Sequence, residues 1–179
     1  MNELFLKEFR SNVFRGLKLI RILNFDPKMA LGPIRVDIAA TSACNYKCCF
    51  CQSHSYLRGG SVTPVSMDGE TIRKLLLDLK ELHVKEVLFS GNGEPLLSKD
   101  LIEHLKRRGD DFKIEILTNG GFLSLVDETL FNTLTYLTIS INSGNGASHQ
   151  ITHGYKGQNQ FSDIATNIDR LLKLRGSHD

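Results

Sequence analysis

The sequence predicts an α/β chain in which about four strand-helix units set parallel strands side by side, with helices outside, as an open or partial barrel. Three observations predict it. Short β-type runs alternate with amphipathic helical runs at intervals of about 30 residues, the pattern of parallel strands joined by right-handed crossovers. The chain has 179 residues, 41% of them hydrophobic, which is enough for one sizeable core and too little for two ordinary domains. Every unusual glycine-, cysteine- or asparagine-containing motif falls just after a predicted strand, and in a parallel barrel those loops share one rim.

Residues 1–33 read as a helical extension and 34–179 as the core. Within the extension Phe5, Phe9, Val13, Leu17 and Ile20 recur at helical spacing over residues 3–23, before Asp26-Pro27 and Gly32-Pro33 break the pattern. The first strand spans Ile34 to Ala40 and delivers the chain into a cysteine loop that continues through Pro64. Ser66 is the expected cap of the next helix, with Asp68 and Glu70 in its first turn and Ile72, Leu75, Leu76 and Leu79 on its buried stripe. A second strand at Glu86 to Ser90 runs into Gly91-Asn92-Gly93-Glu94-Pro95. Leu101, Ile102 and Leu105 mark a helix that stops near Gly109. Lys113 to Thr118 is the third strand and closes in Asn119-Gly120-Gly121, followed by a short helix around Val126 to Leu134. The fourth strand, Tyr136 to Ile141, leads to Asn142-Ser143-Gly144, and the last helix places Phe161, Ile164, Ile168, Leu171 and Leu172 on one face.

The formal charge of +2 points to neither a nucleic-acid nor a membrane partner. No stretch approaches the run of about 18 apolar residues that spans a bilayer, and the first residues lack an apolar secretory core. With free clustered thiols, this places the expected location in the reducing cytoplasm.

All four cysteines lie in Cys44-Asn45-Tyr46-Lys47-Cys48-Cys49-Phe50-Cys51. Thiols this close close no long loop as disulfides, whereas they suit a metal centre. On spacing alone an iron-sulfur cluster, a zinc site built from the same thiolates with His54 as a fourth ligand, and an inert thiol cluster all remain open.

The Cys-x3-Cys-x2-Cys spacing with Phe50 before the last cysteine resembles the signature of the radical S-adenosylmethionine (radical SAM) enzymes, and the resemblance covers roughly residues 34–175. It implies that Cys44, Cys48 and Cys51 hold a [4Fe-4S] cluster whose fourth iron chelates S-adenosylmethionine, with Cys49 spare. It implies a reductive cleavage to a 5′-deoxyadenosyl radical, which removes a hydrogen atom from substrate, with an electron donor such as a flavodoxin or ferredoxin. The family's Gly-Gly-Glu-Pro turn is matched by Gly93, Glu94 and Pro95, with Asn92 in place of the first glycine; Asn tolerates left-handed backbone. The carried-over roles put Phe50 near the adenine, the backbone and carboxylate of the Gly93-Glu94 turn on the methionyl amino group, and Thr118, Ser140 and Asn142 around the cofactor and its ribose. From the residues themselves, Thr118 and Ser140 also read as strand-end groups capping backbone, and Gly93-Glu94-Pro95 as an ordinary turn.

The family core has about six strand-helix units, and four are counted here. The expectation is therefore a fragment, a chain completed by a partner or second copy, or a non-catalytic cluster or cofactor-binding relative. The stretch from Ser140 to Gly154 resembles the subset with a cysteine-rich C-terminal (SPASM-type) extension acting on peptides, proteins or small metabolites. His83 and His104 are expected at the surface on helices, and His153 in a solvated loop on the rim.

Overall fold

The computed structural model describes residues 33–53, 63–107, 111–155 and 160–176. The expected N-terminal helix, His54 and the helix stop at Gly109 lie outside the described residues.

Four parallel strands form one sheet in sequential order: β1 (Arg35–Ile38), β2 (Glu86–Phe89), β3 (Lys113–Thr118) and β4 (Tyr136–Ile139). Helices α1 (Gly69–Glu81), α2 (Lys99–Arg107) and α3 (Glu128–Thr133) make the crossovers, and α4 (Gly146–His153) and α5 (Gln160–Gly176) follow β4. This is the expected α/β arrangement, a partial barrel.

Strand register sorts side chains onto two faces. Val87 lies beside Ile114, and Phe89 beside Ile116, and these four pack with Ile72, Leu79, Leu101, Leu105, Leu130, Ile164 and Leu171 of the helices in one core. Leu101 and Leu105 are fully buried, each burial contributing about 1.5–3 kcal/mol. The opposite face is polar: Arg35 pairs with Glu115 at 3.0 Å, and Thr138 donates to the same carboxylate at 2.8 Å. Helices thus cover one side, and the four strand ends point to one rim.

Several elements depart from expectation. The cap of α1 is Asp68, whose side chain accepts from Thr71 N–H at 2.8 Å, and Ser66 is not the cap. Ser66 instead forms a β-bridge with Thr41, their hydroxyls 2.6 Å apart, so extended pairing with the cysteine loop delays the helix by two residues. On α5 Leu172 is 58% exposed, because it lies about 100° round the helix from the buried Leu171. His83 is exposed, as expected, but follows α1 in left-handed backbone, φ 55°, at the helix terminus. His104 is half-buried, and its Nδ1 lies 2.8 Å from the Asp100 carbonyl.

The segment after β4 is the largest difference. Asn145 caps α4 by accepting from Ser148 N–H at 3.0 Å, and Gly154 ends it at φ 58°. His153 therefore sits on a helix and is 1% exposed, not in a solvated loop.

Candidate cofactor site

β1 opens into the cysteine loop, and each neighbouring loop ties to it. Ser42 N–H donates to Val65 O at 2.9 Å, and Met67 N–H to Ala40 O at 2.9 Å, closing the loop's base. Glu94 N–H donates to Ala43 O at 2.8 Å. From α4, the carbonyl of His153 accepts from Lys47 N–H at 2.9 Å, and that of Thr152 from Cys49 N–H at 3.0 Å. Asn119 Nδ2, after β3, donates to Asn45 Oδ1 at 2.9 Å.

Cys44 and Cys49 are exposed, whereas Cys48 and Cys51 are half-buried. Tyr46 N–H points at Cys44 Sγ from 3.5 Å and Asn119 Nδ2 from 3.6 Å. Cys48 Sγ lies 3.2 Å from His153 Nδ1. Burial pushes the Cys44 thiol up, and pushes Cys48 up to about 11. Metal binding therefore displaces protons from these groups. Among the described residues no three His, Cys, Asp or Glu side chains converge as ligands of one ion. A cubane cluster has another requirement, one thiolate on each of three irons, and three thiols on one loop, with two N–H groups facing the Cys44 sulfur and a ring nitrogen of His153 beside that of Cys48, fit it.

The turn after β2 packs directly on this loop. A Cβ on Gly93 would meet Ala43 O at 2.4 Å and Thr41 O at 2.6 Å, so only glycine permits the approach. Left-handed backbone falls on Gly91, φ 104°, and not on Asn92, so the tolerance expected of Asn92 is not used. Asn92 is exposed and accepts from Ser53 Oγ at 3.0 Å.

Glu94 is 1% exposed, and its carboxylate is held on three sides. Oε1 accepts from Thr118 Oγ1 at 2.7 Å and Leu96 N–H at 3.1 Å, while Oε2 accepts from Asn119 N–H at 2.8 Å. Burial raises its pKa, and these hydrogen bonds oppose the rise. Thr118 shares the core-facing side of β3 with Ile114 and Ile116, and its hydroxyl also accepts from Gly120 N–H at 3.0 Å. Phe50 is 54% exposed beside the cysteines. Ser140 continues the β3–β4 ladder through its N–H to Thr118 O at 2.8 Å, and Asn142 is exposed beyond it. The structure thus brings Cys44, Cys48, Cys51, Gly93, Glu94 and Thr118 together and puts Ser140 on the same rim.

Behind the loop lies a buried aromatic cluster that sequence reasoning missed. Tyr46 stacks on Tyr155 at 5.3 Å, and the rings of His149 and His153 are 4.1 Å apart. Burial lowers both histidine pKa values, that of His153 to about 4, which keeps the pair neutral. A signal was present: Asn145 and Gly154 bracket one short helix on which His149 and His153 are four residues apart, hence on one face. Asn119 was read only as part of a turn.

A family model described as the Radical SAM superfamily matches residues 38–176. A GTP 3',8-cyclase of Tolumonas auensis is 28% identical over 140 residues, 76% of this chain and 40% of the relative. An S-adenosylmethionine-dependent nucleotide dehydratase of a Fibrobacter species is 27% identical over 106 residues, 55% of this chain and 31% of the relative. Among solved structures, Streptococcus suis SuiB bound to precursor peptide SuiA is similar with a TM-score of 0.57 and 19% identity, over 79% of this chain and 31% of that one. The chain spans well under half the length of these proteins.

Proposed function

The chain belongs to the Radical SAM superfamily, a family of enzymes that use a [4Fe-4S] cluster and S-adenosylmethionine, and on that premise we propose that it works as the cofactor-binding part of such an enzyme. Cys44, Cys48 and Cys51 hold the cluster, and Cys49 stays free. Once bound, the cluster and S-adenosylmethionine supply a carbon-centred radical that removes a hydrogen atom from an unactivated substrate position.

The observation that supports this most is the seam between the cysteine loop and the Gly93-Glu94 turn, fixed by Glu94 N–H on Ala43 O at 2.8 Å and by the missing Cβ of Gly93. This seam sets the backbone of the turn beside the thiols. Thr118 and Asn119 keep the Glu94 carboxylate turned inward, so, against expectation, the carboxylate is not free for the cofactor and Thr118, buried with it, acts by holding the turn in place. Phe50 offers an exposed ring for the adenine, and Ser140 and Asn142, just past the end of β4, would hold the ribose.

The sequence relatives are named for reactions of nucleotides, which makes a nucleotide the first substrate class to offer; a peptide, bound in the structure of SuiB, is the second. Flavodoxin or ferredoxin serves as electron donor. Among the described residues β4 pairs on one side only, and a partner chain adding a strand there would extend the barrel. No helix of the described residues is long and apolar enough to cross a membrane. Clustered free thiols suit a reducing compartment, which supports the cytoplasm as the proposed location.

Anaerobic reconstitution with iron and sulfide, iron quantitation, and electron paramagnetic resonance with and without S-adenosylmethionine test the reading. About four irons per chain and a spectrum altered by S-adenosylmethionine are expected. Zinc in place of iron, or a spectrum indifferent to S-adenosylmethionine, overturns it.

A further inference from the structure

We propose that His153 donates an Nδ1–H hydrogen bond to the Cys48 sulfur and so raises the reduction potential of the cluster held there. This rests on the cluster reading above and adds a positioning residue to it.

The contact is built rather than incidental. His153 Nδ1 is 3.2 Å from Cys48 Sγ, and the side chain is 1% exposed, so water does not compete for the bond. The last turn of α4 is registered on the cysteine loop by the backbone bonds from Lys47 and Cys49. Gly154 completes the fit, since a Cβ there would lie 2.6 Å from Lys47 O. The ring itself is enclosed by His149 at 4.1 Å, Tyr46 at 5.4 Å and Phe50 at 5.6 Å. Its orientation toward sulfur is therefore set by packing on three sides.

Chemistry then decides the direction of the hydrogen bond. A thiolate on iron has no proton and only accepts, so the imidazole carries its proton on Nδ1. Nε2 is buried with no hydrogen-bond partner, which disfavours a second proton and an unpaired buried charge there. A hydrogen bond to a ligating sulfur draws negative charge off it and favours the reduced, more negative cluster.

Wild type, His153→Leu and His153→Asn would each be reconstituted, assayed for iron and sulfide, and titrated potentiometrically by electron paramagnetic resonance. Leu removes the donor, and Asn returns an amide N–H near the Nδ1 position. Equal iron content, a more negative midpoint for His153→Leu and a midpoint restored toward wild type for His153→Asn are expected. Equal midpoints in all three, or the same shift in both variants, overturn the proposal. Pulsed resonance on reduced wild type carrying 15N-histidine gives a readout that needs no variant: a weak histidine nitrogen coupling is expected, and its absence counts against the bond. If wild type takes up no iron, the cluster reading fails and this inference with it; iron uptake with unmoved midpoints sinks this inference alone.

Discussion

The Thr118 hydroxyl donates to Glu94 Oε1 at 2.7 Å, joining the end of β3 to the turn after β2 inside the protein. Thr118→Val removes one of the bonds to a buried carboxylate and is expected to cost about 1.5–3 kcal/mol. Glu94→Gln sets an NH2 group against the N–H of Leu96 or of Asn119, for a loss of about 1–3 kcal/mol. Urea denaturation measures both, and a variant as stable as wild type would contradict the role given to the carboxylate.

Gly93→Ala places a methyl where Ala43 O and Thr41 O already stand. A loss of about 1–3 kcal/mol is expected, together with reduced iron uptake as the cysteine loop shifts. Gly144→Ala is the control, because nothing lies within 4 Å of its Cβ position; it should stay within about 0.5 kcal/mol of wild type.

Removing any one of Cys44, Cys48 or Cys51 as Ala should abolish cluster uptake, whereas Cys49→Ala retains it. Iron content after anaerobic reconstitution decides. Iron lost only with Cys49→Ala would show that the ligands are wrongly assigned.

Asp127 caps α3 through Leu130 N–H at 2.9 Å and pairs with Lys106. The cap, then Lys106, hold its carboxyl below the usual carboxylate range. The unfolded chain thus binds this proton more tightly than the folded one. Stabilisation is therefore present above the unfolded value near 3.8 and is lost as pH falls through the lower folded value. Asp127→Ala is expected to cost about 1 kcal/mol at pH 7, and the gap to wild type should narrow once the pH drops below that unfolded value. A gap unchanged across that window, by denaturant midpoint, would leave the charge without a role.

His83 ends α1 in left-handed backbone, with its N–H on Lys80 O and Val84 N–H on Leu79 O. Glycine is the residue this Schellman arrangement favours. His83→Gly should stabilise the fold by about 1 kcal/mol, raising the melting temperature by about 2–4 °C; a lower melting temperature would mean that the imidazole makes contacts worth more than the backbone strain.

β3 was legible residue for residue because its alternation matches burial on one face, Ile114, Ile116 and Thr118 inward. The ends of β1 and β4 were read too long, since apolar residues run past the last paired position, as at Ile141 after Ile139, and β2 by one residue, Ser90, whose N–H still donates to Ile38 O. That Cys44, Cys48 and Cys51 share one loop, and that the Gly93-Glu94 turn lies on the same rim, was legible because close spacing and glycine placement are local signals. α4 was not: Gly-Ala-Ser-His-Gln-Ile-Thr-His has no apolar stripe, its buried residues are two histidines, and its one large aliphatic, Ile151, is 79% exposed. Tertiary contacts with Tyr46 of the cysteine loop, Tyr155 and Phe161 are what bury those histidines.

The ties between loops also decide how the rim opens. Ala43 to Glu94, Glu94 to Thr118 and Asn119, Asn119 to Asn45, and Lys47 to His153 form a chain in which each loop is latched by another. Such a chain yields as a single cooperative unit and not loop by loop. Oxidants that need the half-buried Cys48 and Cys51 unwrapped therefore meet a barrier set by the whole rim, and the cysteine segment inherits a lifetime that its own sequence does not encode.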